Sequence, residues 1–192
     1  MNQKLSRPGA ALLLSWALAV GAGQAPAAQT RVNAEAQVLA DFQKRIDQYM
    51  QLHERVEKES PPLKQTKEPA KIQASQDAMA AKIQAARKDA KPGEIFTPEI
   101  RQALRKLMYP ETKGTDGAET KAALKDDAPK NVPLKVNTKY PENAPLPTVP
   151  PNLLASLPKL PEELEYRIIN KHLILRDVHA NLIIDFIPNA IQ

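Results

Sequence analysis

The chain has 192 residues, with 27 lysines and arginines against 22 aspartates and glutamates, 18 prolines, no cysteine and only 4% aromatic residues. The lack of cysteine excludes a disulfide framework, a thiolate metal site and a cysteine nucleophile. A net charge of +5 with so few aromatics argues against nucleic-acid binding, which needs a basic stripe and stacking surfaces.

The first 27 residues have the order of a secretory signal peptide. Lys4 and Arg7 form a short basic segment, residues 10–20 are uncharged and largely apolar, and Ala25-Pro26-Ala27 is a small-x-small cleavage signal. The apolar stretch is too short to cross a hydrocarbon core of about 30 Å, although an uncleaved N-terminal anchor is the alternative. We therefore predict a periplasmic or secreted protein, cleaved near Ala27, with no stable membrane span in the mature chain. Cleavage leaves 25 basic against 22 acidic residues, or +3.

Residues 28–110 are predicted to be helical. Prolines 61 and 62 end a first helix, and a second amphipathic helix follows, which together indicate an antiparallel hairpin. Thr97-Pro98-Glu99 is typical of the start of a third helix, since Thr caps it, Pro suits the first position and Glu complements the dipole. The first helix has a stripe of apolar residues at spacings of three and four: Leu39, Phe42, Ile46, Tyr49 and Val56. His53 lies on this stripe, and we interpret it as a partly buried imidazole with its hydrogen bonds satisfied rather than as a ligand.

Residues 111–161 are predicted to form a proline-rich linker or arm. Positions 129–161 hold nine prolines and no glycine, a composition typical of stiff, extended chain. Residues 114–117, before them, have the composition of a solvated loop. Apolar side chains along this part favour an arm that packs on the rest of the protein over a free tether: Leu146, Val149, Leu153, Leu154 and Leu157.

Residues 162–192 carry the strand signal. Three β-rich runs at 164–169, 172–178 and 182–187 are joined by two and three residues, which predicts an antiparallel meander. Both faces are apolar, so one is expected to pack on the helices and the other to need a cover: the arm, another chain or a membrane component. The predicted fold class is α+β, with an N-terminal helical hairpin plus third helix, a proline-rich extended arm and a C-terminal three-stranded β-meander.

The C-terminal segments LPEELEYR, HLILRD and ANLIIDFIPNA are the distinctive part of the sequence. They resemble the C-terminal ends of an uncharacterised family of small exported proteins from Gram-negative bacteria. The resemblance covers about a sixth of the chain and implies a periplasmic or secreted bacterial protein. It implies no activity and no catalytic residue.

One cluster near the C terminus has reactive side chains. Asp177 and His179 lie close in sequence, and Asp185 is placed to approach them across the last hairpin, so that together they can bind a divalent metal or move protons. In the alternative interpretation, which we prefer, Asp177 and Asn181 satisfy backbone donors at the turn, and Arg176 pairs with Asp185 across the strands. No HExxH, GxSxG or phosphate-binding glycine loop is present.

These features predict a non-enzymatic, cofactor-free periplasmic module that binds a protein partner or self-associates, by helix-in-groove or strand-addition contact. A small metal-dependent or enzymatic module centred on Asp177, His179 and Asp185 is the alternative. The candidate partner contacts are apolar residues of the first helix and of the strands: Leu39, Phe42, Ile46, Tyr49, Ile174, Ile184 and Phe186.

Overall fold

The predicted helices and strands occur in the predicted order, with further elements in the arm, in the computed structural model, which describes residues 27–60, 67–126, 129 and 132–191. The α+β class is confirmed. The predicted signal segment up to residue 26 and the proline pair at 61–62 lie outside the described residues. The elements are α1 (Ala27–Lys58), α2 (Pro69–Ala86), α3 (Pro98–Met108), a 3₁₀ turn (Pro110–Thr112), α4 (Gly114–Asp126), β1 (Thr138–Lys139), α5 (Pro151–Ser156), β2 (Leu164–Ile169), β3 (His172–Asp177) and β4 (Leu182–Ile187).

Helices α1 and α2 form the predicted hairpin. The Arg87 guanidinium, just after α2, lies 5.3 Å from the ring centre of Tyr49, while Lys82 donates to the carbonyl of Glu59 beyond the end of α1. The contacts run in opposite order along the two helices, so the helices are antiparallel. The apolar stripe of α1 faces the core, where each buried side chain contributes about 1.5–3 kcal/mol, and Phe42 stacks on Phe96 with ring centres 5.9 Å apart.

Helix α3 begins as its sequence predicts. Pro98 occupies the first helical position, and the Thr97 hydroxyl accepts a hydrogen bond from the amide of Ile100 at 3.4 Å. At the other end, Arg105 donates to the carbonyl of Pro188 over 2.7 Å. This contact ties α3 to the chain that follows β4.

The sheet has four strands among the described residues, in the order β1–β4–β3–β2, with all neighbours antiparallel. The three predicted strands are confirmed, and Asn170 and Asn181 adopt positive φ angles of 56° and 50° in the two connections, which asparagine tolerates better than most residues. The extra strand, β1, is a two-residue piece of the arm paired with β4. Local β-propensity does not predict this strand, because so short a pairing depends on the packing of the arm.

The two faces of the sheet have different covers. One packs on the helices in the main core. The other carries Ile169, Ile174 and Ile183, and it packs against arm residues including Tyr140 and Leu134. The arm is therefore the cover that the apolar outer face requires. It also differs from the predicted linker, because residues 114–117 begin helix α4 instead of a solvated loop and α5 forms further along.

Glu165 lies on the outer side of the sheet between two arginines. Its carboxylate pairs with Arg167 and with Arg176, whose Nη1 lies 2.5 Å from Glu165 Oε1. Burial alone would raise the pKa of Glu165, but the hydrogen bonds and positive charges of the two arginines outweigh it, so the pKa is lowered from its usual value. The ionised carboxylate therefore joins β2 to β3.

Most of the residues predicted as partner contacts are core residues. Phe42, Ile46, Ile174 and Ile184 have no exposed surface and Tyr49 has 5%, while Leu39 and Phe186 are partly buried against the two clusters. These residues are buried because α1, the sheet and the arm cover one another. Within the described residues, no helix has the length and apolar character to cross a membrane.

Candidate metal centre

Three segments distant in sequence converge at one end of the sheet. Helix α1 carries Tyr49, His53 and Glu57, which share a face because they are spaced by four residues. Asp177 is the last residue of β3, and His179 follows in the tight connection to β4. The docking of α1 on the helix side of the sheet therefore brings the two imidazoles together.

Asp177 is the centre of a buried hydrogen-bond network. Its Oδ2 accepts from the Tyr49 hydroxyl at 2.6 Å and lies 2.7 Å from Nδ1 of His53, and its Oδ1 accepts from the amide of Ala180 at 2.7 Å. The contact with Ala180 is the predicted turn role of Asp177. The contacts with α1 were not predicted, because they join residues more than 120 positions apart.

The network sets the charges of its members. Burial opposes ionisation of Asp177, but its hydrogen bonds with His53, Tyr49 and Ala180 and the charge of His53 lower its pKa below the usual value. Burial and the nearby Asp177 carboxylate raise the pKa of Tyr49, so Tyr49 stays a protonated donor. Burial alone would lower the pKa of His53, but Asp177, followed by the charges of Glu57 and Glu163, raises it overall. Asp177 therefore remains an anion that fixes a proton on Nδ1 of His53.

The second ring nitrogen of His53 is left without a partner. His53 has no exposed surface, and its Nε2 has no hydrogen-bond partner among the described residues. Buried polar atoms are nearly always hydrogen-bonded, so an exception needs an explanation. The neighbouring groups are His179, whose ring centre lies 5.4 Å from that of His53, and Glu57, whose Oε1 lies 3.6 Å from Nδ1 of His179.

The spacing of these groups fits a metal ion. His53, Glu57 and His179 each offer one ligand atom, and the three atoms lie within 4.8 Å of one another. Around a tetrahedral zinc ion with bonds of about 2.0–2.1 Å, ligand atoms are about 3.3 Å apart and two imidazole ring centres about 5 Å apart. Zinc binding would therefore require these ligand atoms to move closer together, and the Glu57 and His179 side chains are half-exposed.

Asp177 takes the place of an outer carboxylate in this arrangement. Histidines that bind metals usually donate their other ring N–H to a carboxylate or a carbonyl, which fixes the tautomer and the ring orientation. His53 has this bond on Nδ1, and its Nε2 would be available to bind an ion. The site thus has an oriented ligand on its buried side.

Asp185 does not belong to this cluster. Its carboxylate is fully buried and accepts from the amides of Gly93, Ile95 and Phe96, at 2.9 Å for the shortest contact of each. It organises the connection between α2 and α3. The predicted pairing of Arg176 with Asp185 is also absent, since Arg176 contacts Glu165 and Asn181 instead. A bulge at this point of the β3–β4 ladder puts Asp185 opposite Leu175.

The remaining histidine, His172, is outside the centre. It accepts from the amide of Asn189 at 3.2 Å, and partial burial lowers its pKa. Local sequence patterns indicate Asp177 and His179 as reactive groups and His53 as a partly buried residue, but they do not indicate Glu57. The four-residue spacing of His53 and Glu57 on one helix is the sequence feature that places the two side chains together.

Comparisons with protein-family models, curated proteins and solved structures find no match to this chain.

Proposed function

We propose that this protein is an exported metal-binding protein that holds one divalent ion of the zinc class through His53 Nε2, His179 and Glu57. The observation that carries the proposal is the fully buried Nε2 of His53, which has no partner among the described residues and adjoins two further ligand groups. A metal ion gives that atom a partner. Asp177 holds the imidazole in the tautomer that the ion requires.

The donor types favour zinc or a similar transition metal. Two imidazole nitrogens and one carboxylate oxygen suit zinc, copper or nickel, whereas calcium and magnesium prefer sets made of oxygen alone. The set also needs no thiolate, in keeping with a chain that has no cysteine. Affinity for the first-row metals is therefore expected to exceed affinity for calcium by a wide margin.

Calorimetric titration of the purified, chelator-treated protein tests this function. We expect zinc to bind with a stoichiometry of one and calcium to give no heat. His179→Ala removes one ligand and should weaken zinc binding, whereas His172→Ala, which alters a histidine outside the centre, should leave it unchanged. Zinc binding that is absent in the unaltered protein, or equal in the two variants, would contradict the proposal.

Export is the part of the proposal that depends on residues 1–27. The basic segment, the apolar stretch and the small-residue signal support it. The test is expression of the full chain in a Gram-negative bacterium, followed by cell fractionation and N-terminal sequencing. We expect periplasmic or secreted protein that begins close to residue 28. Cytoplasmic protein that still begins at Met1 would argue against export.

Assembly with another protein chain is a second candidate function, favoured by the free side of β2. No described strand pairs with that edge, and unpaired strand edges are templates for strand addition. A groove of about 420 Å³ runs beside it, and Leu154 at the groove is 49% exposed. We assign this edge to a second copy of the chain. Sedimentation at micromolar concentrations should show a dimer that Leu154→Glu weakens, and a monomer throughout would exclude it.

A further inference from the structure

We infer that the bound ion keeps one coordination position open to solvent and accepts a small anionic ligand there. This inference rests on the proposed metal binding. It goes further because it separates a closed structural site from one that an external molecule can enter. The kind of ligand is an anionic oxygen or nitrogen donor, such as a carboxylate or azide.

The number of protein ligands supports an open position. In the part of the chain that the structure describes, three residues contribute ligand atoms to this group. The buried Asp177 and Tyr49 groups beside His53 are already engaged, because both oxygens of Asp177 accept hydrogen bonds and the Tyr49 hydroxyl donates one of them. Zinc sites with three protein ligands complete their coordination with water or an exogenous molecule, whereas structural sites have four protein ligands.

The burial of the ligands indicates which side is open. His53 is fully buried, whereas the side chains of His179 and Glu57 are 48% and 55% exposed. An ion between them therefore has protein on the His53 side and solvent on the side of the other two ligands. The open position lies where a molecule from solution can reach it.

The charge of the ligand set determines what binds there. Two neutral imidazoles and the single carboxylate of Glu57 would leave a divalent ion with a net charge of +1 within its ligand set, and the charges of Asp177 and Glu163 lie outside that set. A divalent ion held by this set would lower the pKa of a water in the open position, because the positive charge stabilises hydroxide. Small anions that replace this water benefit from the same attraction.

Cobalt(II) spectroscopy of the purified protein tests the inference, since the visible spectrum of cobalt reports its ligands. We expect one cobalt per chain to give a visible band and sodium azide to change that band in a saturable way, with one azide per cobalt. Sodium perchlorate at equal ionic strength should leave the band unchanged, and gel filtration should show that the cobalt stays bound.

The outcomes separate this inference from the proposed function. A cobalt band that depends on His179 but does not respond to azide would overturn the open position and leave metal binding intact. If cobalt and zinc do not bind at all, both proposals fall. His172→Ala is the matched control and should reproduce the azide response of the unaltered protein.

Discussion

Replacement of Asp177 by asparagine probes the centre most directly. The change keeps the shape of the side chain but removes its charge and one acceptor oxygen. Three donors meet this carboxylate: His53 and Tyr49 at Oδ2 and the Ala180 amide at Oδ1. In either orientation of the new amide, its NH₂ group faces at least one of these donors. The network therefore loses a hydrogen bond inside the core.

Two separate effects follow from Asp177→Asn. Leaving a buried polar group unpaired costs about 1–3 kcal/mol, so the free energy of unfolding of the metal-free protein should fall by about that amount. Loss of the partner that orients a metal-bound histidine lowers metal affinity by about 10–100-fold. That loss corresponds to about 1.4–2.8 kcal/mol of binding free energy.

Asp185→Asn is the matched control for this experiment. Asp185 is an equally buried carboxylate on the same sheet, but it accepts from the amides of the connection between α2 and α3. Urea unfolding should show that both variants are destabilised, and competition against a chromophoric chelator should show weaker zinc binding for Asp177→Asn alone. Equal zinc affinities in the two variants, measured where both are folded, would refute the role of Asp177 in orienting His53.

The remaining predictions concern stability. Zinc at 100 times its dissociation constant should raise the free energy of unfolding by about 2.7 kcal/mol, as measured in urea, and His179→Ala should lose most of this gain at the same zinc concentration; an equal gain in both would argue for binding elsewhere. The lowered pKa of Glu165 means that its ionised form stabilises the fold above its usual pKa of 4.5, so Glu165→Gln should cost about 1 kcal/mol at pH 7. That difference should shrink as the pH falls below 4.5, and a pH-independent difference in urea unfolding would contradict the assignment. Asn170→Val should lower the free energy of unfolding by about 1–2 kcal/mol, because Asn170 has a φ of 56°, whereas Asn170→Gly should be close to neutral; equal thermal stability of the two variants would show that this turn is not held in the left-handed region.

Local patterns were enough to predict most of the regular structure. The Thr97-Pro98 start of α3 and the strand limits at Leu164 and Ile187 agree with the sequence, because capping, proline geometry and β-rich runs act over a few residues. The buried stripe of α1 was also predictable as a stripe. The packing partners of the stripe depend on the tertiary fold, which buries Phe42 and Ile46 in the core.

The sequence by itself determined the α+β class, the helix and strand segments that carry their own signals, and the presence of Asp177 and His179 at a turn. Only the tertiary structure decided that His53 joins them, that Asp185 does not, and that part of the arm becomes β1. The physical reason is the distance along the sequence over which each kind of interaction acts. Propensity and capping depend on neighbours in the chain, whereas the centre depends on a single docking of α1 against the β3–β4 connection, across more than 120 residues.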